Sequence, residues 1–93
     1  MKSIIQKDGS RCFFCGGMQG LEEHHIFGGA ANRKLSEKYG LKITCCKKHH
    51  TDPKEGVQYN KEMNQSTKRL AQIAFEGRWT HDLWMETFKK NYL

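Results

Sequence analysis

The sequence predicts a small α+β domain, with two short strands in its first half and two helices in its second. Three observations predict it. Cys12-x-x-Cys15 and the later run Cys45-Cys46-Lys47-Lys48-His49-His50 set thiols and imidazoles at both ends of one segment. Apolar and polar residues alternate over Leu21–Phe27 and Leu41–Thr44, the period of a half-buried strand. Capping residues and helically spaced apolar residues fill the last third.

The 93 residues form one domain, 1–93, with a core over about 11–56 and a helical part over about 58–93. At 37% hydrophobic residues the core is thin, so a metal staple would help it hold. A net charge of +6 suits a partner with a phosphate backbone; a merely basic surface is the plainer alternative. No stretch has the ~18 apolar residues of a membrane span, and the first residues carry no apolar signal region. A cytoplasmic protein that meets no membrane is expected. In that reducing compartment four cysteines point to metal rather than to disulfides.

Met1–Ser10 reads as a polar lead-in that ends on the turn signal Asp8-Gly9. Arg11–Gly17 reads as a knuckle, where Gly16 and Gly17 supply the backbone freedom that a tight turn needs. After the first strand, Gly28–Gly40 reads as a loop with one helical turn at Arg33–Lys38. The second strand leads into a short helix over Cys46–Thr51, which Asp52-Pro53 ends. Asn60 caps a helix running to Glu76, with Met63, Leu70, Ile73 and Ala74 expected inward and Gly77 as the stop. A last helix starts at Thr80 and turns Leu83, Trp84 and Phe88 inward. Trp79, Trp84 and Tyr92 are expected to be core, with a surface for bases or a partner as the other reading.

Thiolates and imidazoles at these spacings suit tetrahedral Zn2+. A redox pair at Cys12 and Cys15 would need a βαβ setting that the chain is too short and wrongly ordered to provide. Cys46-x-x-His49 has the spacing of a helix start, with both side chains converging on one ion. Cys45-x-x-x-His49 is the other pairing, with Cys45 pointing opposite to Cys46. The expected structural zinc ligands are Cys12, Cys15, Cys46 and His49, with Cys45 a free buried thiol. Glu23, His24, His25 and His50 are left over. One imidazole of such a set can ligate a second metal while its neighbour takes a proton from water; satisfied surface or core histidines are the bland alternative.

Cys-x-x-Cys, then Glu-His-His-Ile, then Cys-x-x-His-His resembles the HNH endonuclease family in its zinc-bound form, which has the ββα-metal fold. More narrowly, Glu23–Gly28, Ala31–Lys34, Ser36–Leu41 and Asn91-Tyr92-Leu93 look like the small single-domain HNH proteins of phages and prophages. The resemblance covers Cys12 to His50 well and, in the narrower group, reaches the C-terminus. It implies that His24 and His50 ligate a catalytic divalent metal and that His25 is the general base. It also implies that Cys12, Cys15, Cys46 and His49 hold the structural zinc. The position of the family's middle Asn reads Gly40 here, with Asn32 the nearest substitute. Lys54 stands where some members have a third metal histidine. Two protein ligands leave water and phosphate oxygens to fill the shell of Mg2+, Mn2+ or Ni2+.

The resemblance thus implies a metal-dependent endonuclease that hydrolyses DNA phosphodiester bonds. Arg33, Lys34, Lys38, Lys47 and Lys48 lie near the motif and are candidates to grip phosphates, each equally readable as a solvated charge. Nothing in the chain reads bases, so nicking with low sequence specificity and strong salt dependence is expected. Double-strand breaks would need a homodimer or two binding events. If phage-encoded, the protein would work in the host cell cytoplasm, alongside other phage proteins. Two rival readings are a non-catalytic zinc-stabilised nucleic-acid-binding module and an adaptor in a phage assembly.

Overall fold

A computed structural model describes the whole chain, Met1–Leu93. Its elements are β1 (Leu21–His25), α1 (Ala30–Tyr39), β2 (Lys42–Cys46), α2 (Lys47–Thr51), α3 (Lys61–Glu76) and α4 (His81–Phe88). This is a small α+β fold: a two-stranded antiparallel sheet with four helices around it.

The strands pair from Leu21 opposite Cys46 to His25 opposite Lys42. In β2 the alternation of the sequence becomes burial: Ile43 and Cys45 turn inward, while Lys42, Thr44 and Cys46 keep partial contact with solvent. The lead-in is not a loose tail. Ile4 donates its N–H to Gly40, Ser3 donates its hydroxyl to the Lys42 carbonyl, and the Gln6 side chain accepts the N–H of Thr44. These bonds line the free side of β2, and Ile4 and Ile5 pack on the core.

The segment expected to be a loop is mostly helix. α1 runs for ten residues and ends at Gly40, whose φ of 70° is the left-handed conformation that closes many helices. A side chain at Gly40 would also strike the Lys2 carbonyl, so the position has neither the conformation nor the space for a larger residue. Local pattern understates α1 because its support is tertiary. Ser36 is wholly buried against Phe27, and Tyr39 packs edge-on to Phe75 and Trp79.

α3 and α4 start where the sequence places their caps. Asn60 accepts the N–H of Met63, and Thr80 accepts that of Leu83. The inward face of α3 differs from expectation. Thr67, Ala71, Gln72 and Phe75 are buried, whereas Leu70 and Ile73 are 41% and 50% exposed. The reason is polar. Gln72 bonds Glu76, Asn91 and the N–H of Tyr92, which moors the C-terminal tail and fixes the rotation of the helix.

Trp84 is fully buried, with Trp79, Phe88 and Tyr92 packed against the core, as the core reading expects. Phe27, just past β1, lies 4.5 Å from Phe88 and 5.6 Å from Trp84 between ring centres. The cysteine-bearing half and the helical half therefore share one hydrophobic core. No helix is long and apolar enough to cross a membrane.

Candidate metal centre and histidine cleft

The knuckle brings its two thiols together by backbone bonds. Gly17 accepts from Cys12 at 2.7 Å, Gly16 donates to the Cys12 carbonyl at 2.9 Å, and Gly16 takes a φ of 74°. Phe13 donates to Thr44, tying the knuckle to β2. At the end of that strand Cys46 becomes the N-cap of α2, so Cys46 and His49 meet across the first turn.

Cys12, Cys15, Cys46 and His49 form a cluster whose donor atoms all lie within 4.8 Å of one another. Cys15 Sγ is 3.9 Å from Cys46 Sγ, and His49 Nδ1 is 3.1 Å from Cys46 Sγ and 4.0 Å from Cys12 Sγ. Zinc bonds of roughly 2.0–2.3 Å in a tetrahedron put donors roughly 3.3–3.8 Å apart, so the cluster can hold a metal ion such as zinc. Burial opposes ionisation of Cys12. Backbone N–H groups of Cys46, Cys15 and Phe14 outweigh it and bring the thiol down to about 6, which favours a ligating thiolate. Burial pushes the Cys45 thiol up to about 12, so this inward-facing cysteine stays neutral, as its expected role requires.

The turn after α2 holds the histidines from behind. Val57 donates to the His49 carbonyl and Gln58 to that of His50. Gly56 lies so close that a Cβ there would sit 2.8 Å from the His50 carbonyl and 2.5 Å from Asp52 N.

The strand separates the remaining residues by face. His24 and Glu22 share one side of β1, with His50; His25 and Glu23 share the other, with Glu37 of α1 and Lys42. His24 is 8% exposed, and its Nε2 is buried without a hydrogen-bond partner. Its ring centre is 5.1 Å from that of His50. Burial first, and then repulsion from a proton on His50 or His25 and from the Lys68 ammonium, bring the His24 imidazole down to about 4, so it is neutral at neutral pH. His50 Nδ1 lies 2.9 Å from Glu22. A carboxylate only accepts, so Nδ1 donates, and the neutral form of the ring has its lone pair on Nε2.

His25 Nε2 lies 2.9 Å from Glu37 Oε2, and by the same reasoning its lone pair is on Nδ1. Lys42 first, then His25, hold the Glu37 carboxyl down at about 2. Glu23, His25 and Glu37 are a second group of close donors. Lys42 already lies within 3.0 Å of both Glu37 oxygens, which makes this an ion-pair network rather than an open donor set.

The two faces meet at a cleft of about 370 Å3 that includes His24, His25, His50, Arg33, Asn64 and Lys68. Arg33 and Lys34 also border the shallow surface beside His25 and Glu37. Lys38 lies over the Tyr39 ring, Lys48 pairs with Glu55 at 3.1 Å, and neither they nor Lys47 line the cleft. Asn32 is exposed on α1 and Lys54 on the turn after α2. Glu22, Glu37 and Lys68 are the residues that sequence reasoning missed. Strand alternation put Glu22 with His24, but nothing local placed Glu37 or Lys68 there.

Compared with protein-family models, with curated proteins and with solved structures, the chain matches none.

Proposed function

We propose that this chain is a metal-dependent endonuclease of the HNH type, with a ββα-metal core formed by β1, β2 and α2. It hydrolyses DNA phosphodiester bonds, nicks with low sequence specificity, and is of phage or prophage kind. The observation that carries the reading is the buried, unpartnered His24 Nε2 on a ring packed against that of His50, in a chain that also has a zinc-type cluster. A buried polar nitrogen without a partner is costly unless a ligand satisfies it. Two imidazoles on one ion stand with each ring centre roughly 3 Å from it, which matches the 5.1 Å separation here.

In this reading His24 and His50 would hold a divalent ion, which would supply charge relief to the scissile phosphate and to the leaving 3′-oxygen. The protein's residues do the rest. His25 takes a proton from the attacking water at Nδ1, while Glu37 fixes its ring and tautomer through Nε2. Glu22 aims His50 in the same way. The zinc quartet holds α2 on the sheet and so keeps His50 opposite His24. Ser36 replaces the bracing amide of the family, because Gly40 has no room for it and Ser36 clasps the backbone just beyond His25. Arg33 on the cleft and Lys34 on the surface beside it would meet phosphates, whereas Lys38, Lys47 and Lys48 line neither surface.

Supercoiled-plasmid nicking tests this with Mg2+, Mn2+ and Ni2+ in parallel. Wild type should nick only with added metal, and His24→Ala and His50→Ala should retain zinc yet lose the activity. Tight DNA binding without cutting in all three metals would favour the non-catalytic zinc-stabilised module instead.

A further inference from the structure

We infer that Lys68 is a catalytic residue of this cleft, its ammonium binding the non-bridging oxygens of the phosphodiester that the histidines act on. The inference rests on the nuclease reading above and deepens it.

Lys68 belongs to none of the motifs. It reaches the cleft because α3 turns Thr67 and Ala71 into the core, which leaves Asn64 and Lys68, one turn apart, at the edge beside the histidines. Its ammonium lies 5.7 Å from the Phe27 ring centre and 5.9 Å from that of Tyr92. Aromatic faces orient a cation without neutralising it. The contrast with other lysines is in their partners. Lys42 and Lys48 each hold a carboxylate, whereas Lys68 forms no ion pair and no hydrogen bond. Partial burial and the like charge of Lys90 both work against its protonated form. An ammonium held in this way gains by meeting an anion.

The needs of the reaction match. His24 and His50 are imidazoles rather than carboxylates, and Glu23, the one carboxylate on the cleft, already lies 3.6 Å from Lys42 and 3.5 Å from His25. Arg33 from α1 and Lys68 from α3 are the two cationic side chains that line it. Negative charge on a phosphoryl group grows toward the transition state, and a fixed donor there acts mainly on turnover. A lysine stem that merely covers two aromatic rings would do nothing of the kind.

The test is steady-state plasmid nicking by Lys68→Met, Lys68→Arg and Lys68→Gln, beside wild type, His25→Ala and the exposed Lys61→Met on the same helix. Lys68→Met should lower kcat about 100-fold and change KM less than about threefold. Lys68→Arg should recover to within about tenfold of wild type, and Lys61→Met should turn over normally. Lys68→Met cutting within about threefold of wild type, with His25→Ala inactive, would overturn the inference and leave the nuclease reading standing. If Lys68→Met loses zinc or melts early, the Arg and Gln variants decide: equal activity overturns the inference, and an inactive Gln beside an active Arg supports it. Wild type that never nicks would overturn both.

Discussion

The Ser36 hydroxyl clasps the backbone of Phe27 from both sides, donating to its carbonyl at 3.1 Å and accepting its N–H at 3.0 Å. Both residues are buried, and Phe27 lies two positions beyond His25 while its ring enters the aromatic core. One hydroxyl thus fixes the exit of β1 against α1. Ser36→Ala leaves two buried backbone groups unpaired at little change in volume, a cost of roughly 2–3 kcal/mol. For a chain of this size that lowers the melting midpoint by roughly 10–15 °C, measurable by circular dichroism. An unchanged midpoint would show the clasp to be idle.

The four-donor cluster predicts one zinc per chain, with Cys45 taking no part. Cys12→Ser and Cys46→Ser should lose the ion and the cooperative melt, and strong chelators should unfold wild type. Cys45→Ala should keep zinc by elemental analysis, at a modest loss of stability from the small cavity. With its thiol up at about 12, Cys45 should resist alkylation at neutral pH until the protein unfolds.

Much of this was legible in the sequence, for reasons that differ by element. The cysteine and histidine spacings anticipate the cluster because ligands of one ion must be brought close by short, stiff turns. Asn60 and Thr80 mark their helices because caps act within three residues. α1 was hidden because its support comes from Ser36 and Tyr39 meeting distant residues, with little apolar stripe of its own. The face of α3 was misread for a related reason. Leu70 and Ile73 are the apolar choice, yet Gln72 must turn inward to hold the tail. Glu37 and Lys68 reach the histidines only through that same tertiary packing.

His24 makes the fold acid-sensitive in a defined window. Its imidazole is lowered from the ordinary 6.5 to about 4 on folding, so the unfolded chain binds the proton more tightly. The neutral-His24 contribution is complete above about 6.5 and is lost as pH falls toward about 4. Urea midpoints across that range should fall for wild type and fall less for His24→Gln. Parallel curves would contradict the burial of a neutral His24.

Glu37→Gln keeps the shape beside His25 but removes the charged acceptor that fixes its tautomer. On the nuclease reading, nicking should drop about 10- to 100-fold, while zinc content and the affinity for DNA stay close to wild type. A variant as active as wild type would release Glu37 from any role in positioning the base.

The most direct measurement is nicking of supercoiled plasmid by wild type beside His25→Ala, at matched zinc content and with divalent metal added. The nuclease reading predicts open-circular product from wild type alone, with DNA binding equal in both. Equal cutting by the two proteins would contradict His25 as the base, and no cutting by zinc-loaded wild type would contradict the assignment as a nuclease.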